Sequence, residues 1–368
     1  MTHLKEYDRG HAVARYKRSR GVRVRGLAVL FALLALLCFI SLGTGVYELS
    51  FFDVAGGFLR DGDDVVSVVL WGVRIPRTLS AVTTGFALGL AGALIQILLR
   101  NPLASPSTLG ISHGAAFGAA FAIVVLQLGT SGGISAAGVG AVDPSPSLMY
   151  GITLCAFGGA AVVSAVILGL SRLRSINSQA IVLAGVALSS LFMSGTILIQ
   201  YFASEVELSS IVFWTFGDVS RAELSETGLL AVITLPVFAY CMLGRWDLKA
   251  MGAGDESARM LGVRAKRVRT VGVVLAALVA AVATAFSGVI AFMGLIAPHI
   301  ARRLVMNDHR FVIPYSGVIG ALLLLGSDVM SRILFETTAL PVGIITSFMG
   351  APLFLYLLIK DRYAYDKC

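Results

Sequence analysis

The side chains able to do chemistry in this sequence are few and scattered. His113, His299 and His309 are of the metal-ligating type, but they stand far apart and lack a set of carboxylate partners. Metal sites read from sequence show their ligands at short, fixed spacings, so no metal site is assigned. Cys38, Cys155, Cys241 and Cys368 have neither a metal nor a redox spacing. The closing Asp366-Lys367-Cys368 is not a prenylation box. There is no GxxxxGK[ST] loop and no Gly-Lys pair, so nothing here cradles a nucleotide phosphate in the usual way. No apolar run carries the His/Glu cluster or paired carboxylates that an intramembrane enzyme needs. What remains is arginine. Arg74 and Arg77 bracket Ile75-Pro76, and Arg332 follows Asp328 by four residues. Their chemistry is pairing with carboxylates, not bond-breaking.

The elements that must position these residues follow from composition. The chain is 57% hydrophobic and only 14% charged, against about 25% charged in soluble proteins. Its mean hydropathy is +0.85. The apolar residues fall in blocks of about 15–25, the length that crosses a bilayer as helix. Open backbone does not cross hydrocarbon, and barrel strands would alternate with period two. Runs such as Leu27–Leu37 and Ala321–Leu325 show no alternation. The chain is therefore read as an all-α integral membrane protein with about ten spans. They are Leu27–Gly45, Pro76–Leu99, Gly114–Leu128, Leu148–Leu170, Gln179–Phe202, Gly228–Leu243, Val268–Gly288, Ile290–Leu304, Phe311–Leu325 and Pro341–Leu358. Gly85/Gly89 and Gly114/Gly118 have the four-residue spacing that lets helix backbones approach closely, although such pairs also arise by chance in a Gly-rich sequence.

Lys and Arg set the orientation. With the N-terminus inside, every cation except Arg60, Arg74, Arg77, Arg221 and Arg332 falls on the cytoplasmic side. An even span count puts both basic termini there. The formal net charge of +8 is then a consequence of topology, and no nucleic-acid motif accompanies it. The division is residues 1–26 as a basic cytoplasmic segment, 27–360 as the membrane domain with an inner loop at 244–267, and 361–368 as a cytoplasmic tail. The basic start followed by an apolar run lacks a clear cleavage site, so it is read as an uncleaved first span.

The inner loop holds Gly254-Asp255-Glu256-Ser257-Ala258-Arg259-Met260-Leu261-Gly262-Val263. Asp255 suits an N-cap and Gly262 a helix end. A helix this short has no stability of its own and must pack, with Ala258, Met260 and Leu261 as its apolar contacts. It packs on its own spans, lies in the headgroups, or packs on another protein.

Several ordered blocks carry a resemblance. They are Arg74-Ile75-Pro76-Arg77, Asn101 to Ala115 (NPLASPSTLGISHGA), Val182 to Leu188 (VLAGVAL), Ser287 to Arg303 (SGVIAFMGLIAPHIARR), and Pro341 to Thr346 with Gly350-Ala351-Pro352. Across roughly Leu27–Lys360 the chain resembles the permeases of ATP-driven importers for iron–siderophore, haem and vitamin B12, the iron-chelate uptake permeases. The resemblance implies a type II ABC importer permease fold in the cytoplasmic membrane. It implies assembly with a cytosolic ABC ATPase dimer, a second permease copy or paralogue, and an extracytoplasmic substrate-binding protein, in contact with membrane lipid. It carries no nucleic-acid partner and no cofactor.

By the same resemblance, Asp255, Glu256, Ser257, Ala258, Arg259, Leu261 and Gly262 form the ATPase-coupling segment. Arg74, Arg77 and Arg332 match binding-protein docking positions; headgroup anchoring is the other reading of their type and place. Asn177 and Ser178 match an inner translocation gate, where capping of the next helix is the alternative. The Asp-x-x-x-Arg pattern pairs Asp328 with Arg332. One departure stands out: the family's Glu-Leu-Pro is Ala339-Leu340-Pro341 here, with Glu336 as the nearest carboxylate. A ferric siderophore is the favoured substrate, with haem and cobalamin as alternatives. From a different class, an ion-coupled secondary transporter would need charged sites at mid-membrane, and these are nearly lacking.

Overall fold

A computed structural model describes residues 2–45, 65–128, 146–172, 178–305, 308–334 and 340–365. Every regular element among them is helical. Helix α1 covers Thr2–Gly43, α2 Val65–Leu99, α3 Ile111–Val125 and α4 Pro146–Arg172. Helix α5 (Ser178–Phe202) leads to a short α6 (Glu205–Thr215) and then α7 (Leu224–Leu243). The inner loop contains α8 (Arg245–Gly252) and α9 (Asp255–Met260). Helices α10 (Ala265–Ser287), α11 (Met293–Val305), α12 (His309–Leu334) and α13 (Val342–Tyr365) complete the order.

A helix lies at each of the expected spans. Among the described residues seven helices are long and apolar enough to cross a bilayer, and α3 and the Val342–Tyr356 part of α13 are shorter apolar helices. Several boundaries differ from the reading of the sequence. The second span starts at Val65 instead of Pro76, and the ninth extends to Leu334 instead of Leu325. The eighth has thirteen residues, Met293–Val305. At 1.5 Å per residue it rises about 20 Å, less than the roughly 30 Å hydrocarbon core.

The early start of α2 has a local cause. Pro76 has no N–H to give the ladder. Just before it the helix widens into a π turn at Leu70–Arg74, with the Ile75 N–H donating to the Leu70 carbonyl. A π turn absorbs a break in the i→i−4 pattern without ending the helix. At the other end Arg100 adopts a left-handed conformation (φ 51°) and closes α2.

The core is built from α2, α10 and α12, whose span windows are 83%, 72% and 78% buried. Only 6% of the α1 window is buried, so α1 lies at the rim. The close approach of α2 and α12 depends on glycine. A Cβ on Gly85 would overlap the Gly320 carbonyl, and one on Gly89 the Ser316 carbonyl. Helices α3 and α4 repeat the device: Gly114 lies on the Gly159 carbonyl and Gly118 on the Cys155 carbonyl. Both four-residue glycine pairs are thus helix-packing seams within the chain.

Candidate functional site

The motif blocks, far apart in sequence, meet in the fold. Thr84 Oγ1 and Ser287 Oγ lie 3.1 Å apart. Gln96 Nε2 donates to the carbonyls of Gly294 and Leu295, at 3.4 Å each. Gly294 faces the backbone of Gly92 and the ring of Pro106. The loop 101–110 is held by its own side chains: Asn101 Oδ1 accepts from the Leu103 N–H at 2.9 Å, and Thr108 Oγ1 from the Ser105 N–H at 2.8 Å. This loop lies against α5, with Gly185 on the backbone of Thr108 and Leu109. The last block joins through the Gly343 N–H, which donates to the Gly217 carbonyl at 2.9 Å. One packed unit therefore connects the start of α13, the α10–α11 corner and the loop supporting α5.

At the end of α12 where Leu334 lies, an aspartate is held between two arginines. Arg77 Nε donates to Asp328 Oδ1 at 2.8 Å, and Arg332 Nη2 lies 2.8 Å from Asp328 Oδ2. The Asp328 side chain is fully buried. Arg332 also reaches α1, donating to the carbonyls of Ser41 and Thr44 at 2.9 and 2.8 Å and to Ser41 Oγ at 2.6 Å. Arg74 donates to the Leu42 carbonyl at 2.9 Å and is only 5% exposed. The pairing of Asp328 with Arg332 that the resemblance implied is present. The part played by Arg77 was not visible in the sequence. All three arginines matched to docking positions have guanidinium contacts inside the chain.

The opposite end of α12 carries a second triad. Arg23 Nη1 donates to Asp308 Oδ2 at 2.6 Å. Arg310 approaches the same carboxylate with both arms, Nε to Oδ1 at 2.9 Å and Nη2 to Oδ2 at 2.7 Å. The Tyr315 hydroxyl donates to the Arg23 carbonyl at 2.6 Å. Arg310 stacks over the Trp246 ring of α8 at 5.0 Å. The two-armed hydrogen bond from Arg310 holds the Asp308 carboxyl below its ordinary range, against the upward push of burial.

The inner loop is more ordered than the sequence implied, because α8 precedes α9. Leu248 and Met251 of α8 are buried, and Ala250, Met251, Ala258 and Ala265 form a small apolar cluster. Asp255 is not the N-cap. Gly254 (φ 115°) takes that place, and the Asp255 carboxylate pairs with Arg269 of α10. Helix α9 ends as expected: Gly262 has φ +81°, the Val263 N–H donates to the Ala258 carbonyl and the Gly262 N–H to the Arg259 carbonyl, each at 2.9 Å. This pair of bonds is a Schellman end. Of the three expected apolar contacts, Ala258 alone is buried. Met260 is 91% and Leu261 71% exposed. Met260 and Leu261 are thus left largely open among the described residues.

For the gate, Ser178 is the first residue of α5. Asn177 lies outside the described residues, as do Glu336 and Ala339. Among the described residues no group of three or more His, Cys, Asp or Glu is placed to hold a metal ion. Helices α6 and α8 were missed by the reading of apolar runs. For α6 the signal was present: Ser204 and Glu207 form a capping box, with the Ser204 N–H donating to Glu207 Oε2 at 2.8 Å.

Comparison with known proteins agrees with this geometry. Residues 33–360 match the FecCD transport family. The chain is 46% identical to a protein of Methanocaldococcus jannaschii named as an ABC transporter permease, over 90% of this chain and 93% of that one. It is 33% identical to the vitamin B12 import system permease BtuC of Klebsiella pneumoniae, over 80% and 83% of the two chains. It is 32% identical to the hemin transport system permease HmuU of Yersinia pestis, over 92% and 98%. A solved metal-chelate type ABC transporter in an inward-facing conformation superposes with a TM-score of 0.77 at 30% identity, covering 91% of this chain and 99% of that one. The chain is a multi-pass membrane permease and belongs to the FecCD transport family of ABC importers.

Proposed function

We propose that this permease carries a ferric siderophore across the cytoplasmic membrane by alternating access, driven by a separate cytosolic ATPase dimer. The observation that carries the reading is the inner loop. It is fastened to α10 through Asp255–Arg269, yet holds Met260 and Leu261 out in the open. A short helix that buries one face on its own chain and presents an apolar pair on the other is built to be gripped by a second protein. Both termini and residues 244–267 lie in the cytoplasm in this reading, with 27–360 as the permease domain. Residues Asp255–Gly262 receive the ATPase's motion and pass it through Arg269 to α10.

A second permease copy or paralogue faces the first, with Asn177 and Ser178 at the inner mouth of the pathway. Short polar side chains meet there without filling it. Cysteine at 178 crosslinks across a homodimer in a nucleotide-dependent way; absence of any crosslink, with the partner paralogue also tested, moves the gate to another helix. An extracytoplasmic binding protein delivers the chelate to the outer face that Arg74, Arg77 and Arg332 brace. Because those guanidiniums are engaged internally, replacing them disturbs that face as well as any direct contact.

Haem and cobalamin are the second reading, favoured by the substrates in the names of two relatives. Uptake into proteoliposomes holding the permease, its ATPase and its binding protein separates them. ATP-dependent accumulation of ferric siderophore is expected. Accumulation of haem or cobalamin instead reassigns the substrate, and no ATP-dependent uptake of any chelate removes the importer reading.

A further inference from the structure

Where the inner loop joins α10, the surface holds a pocket of about 660 Å³. Four cations line it: Arg259, Arg264, Lys266 and Arg267. None of their side chains makes a hydrogen bond or ion pair among the described residues. The nearby Asp255 carboxylate is already taken by Arg269. Four like charges around one cavity repel one another, and an anion between them relieves that repulsion. The remaining walls include the apolar side chains of Val263 and Val271.

The pocket does not end at its charged rim. On α10, Arg267 and Val271 are followed by Val274 and Leu278 at spacings of four, three and four, so all share one helix face. Val274 and Leu278 are 39% and 36% exposed on a helix otherwise largely buried. A mostly apolar pocket edged by four cations thus continues into an apolar stripe on the same face of α10. This pattern suits a phospholipid, with a negative headgroup at the cationic edge and an acyl chain along the apolar pocket and stripe. An acidic protein segment would match the charges but would leave the stripe without a role.

We propose that Arg259, Arg264, Lys266 and Arg267 form a binding site for the phosphate of an anionic phospholipid in the leaflet that meets the inner loop. The proposal rests on placing that loop at the cytoplasmic membrane surface. A lipid seated there would brace the end of α10 to which the coupling segment is tied.

The test uses the full-length permease in nanodiscs containing phosphatidylglycerol and phosphatidylcholine, followed by native mass spectrometry of retained lipid. Wild type is expected to retain phosphatidylglycerol selectively. The double variant Arg264→Gln with Arg267→Gln should lose about tenfold of that selectivity, while Arg245→Gln, outside the pocket, keeps it. Equal retention of both lipids by wild type overturns the proposal, as does unchanged selectivity in the double variant. Complete displacement of the lipid by inorganic phosphate alone would make this a free-phosphate site and also overturn it. Lost ATPase copurification with unchanged lipid selectivity would assign the surface to the protein partner instead. Lipid retention is read without ATP or substrate, so its failure is distinct from failure of the importer reading.

Discussion

The two ends of α12 use the same three groups in different surroundings. At one end Asp328 sits between Arg77 and Arg332; at the other Asp308 sits between Arg23 and Arg310. Both triads reach α1, the helix with the least packing of its own. They differ in burial. The Asp328 side chain is fully buried and its arginines 12% and 7% exposed, whereas Asp308 is 9% and its arginines 18% and 15% exposed. Desolvation makes the first triad costly to break, because any survivor is a buried, unpaired charge. The second, nearer water, is softer, and it touches the inner loop through Trp246. The molecule therefore pins α1 firmly at one end and adjustably at the end where coupling is proposed.

That contrast can be broken from either side. Asp328→Ala strands two buried guanidiniums and should cost about 3–5 kcal/mol, read as a large fall in the unfolding temperature of the detergent-solubilised protein. A change no larger than that of a surface substitution would mean water reaches this triad. Asp308→Asn should cost less, about 1–2 kcal/mol, and change the response to acid. The Asp308 carboxyl is held below its ordinary value of 3.8, first by the Arg310 hydrogen bond. A lowered folded-state value means the stabilisation is complete above the unfolded value and disappears as pH falls through the folded one. Wild type should thus lose stability below about pH 4 more steeply than Asp308→Asn. Parallel pH profiles would contradict the assignment. The smallest effect belongs to Trp246→Ala, about 0.5–1 kcal/mol for the lost stacking with Arg310. It sharpens the comparison if it loosens the inner loop to proteolysis while leaving the Asp328 end unchanged.

Much of this architecture is legible in the sequence because a bilayer imposes simple lengths. Apolar runs locate a helix at every expected span, and the glycine pairs at 85/89 and 114/118 mark real backbone contacts. Helices that do not cross were harder to read. Helix α8 buries only Leu248, Ala250 and Met251, too short a pattern to stand out beside the spans. Helix α6 announced itself by its capping box, a polar signal that a hydropathy reading passes over. At the sites, the Asp328–Arg332 pair came from a local pattern shared with the resembled family, whereas the bond from Arg77 spans 251 residues and has no local pattern. Asp255 has the right type for an N-cap, but the positive φ at Gly254 claims that position and frees the carboxylate for Arg269. The gate residues Asn177 and Ser178 rest on resemblance, since short polar residues before a helix also read as a cap.

In the proposed coupling, force from a separate ATPase enters this chain at Met260–Leu261. The direct test is Leu261→Asp, with ATP hydrolysis and chelate uptake measured side by side in the reconstituted assembly. Leu261 is 71% exposed, so the fold should tolerate the change while a charge is forced into an apolar protein contact. The permease alone should hydrolyse no ATP, and the variant should fold normally while uptake falls at least tenfold with weakened ATPase association. Wild-type assembly and uptake by Leu261→Asp, or specific ATP hydrolysis by the permease alone, would contradict this coupling.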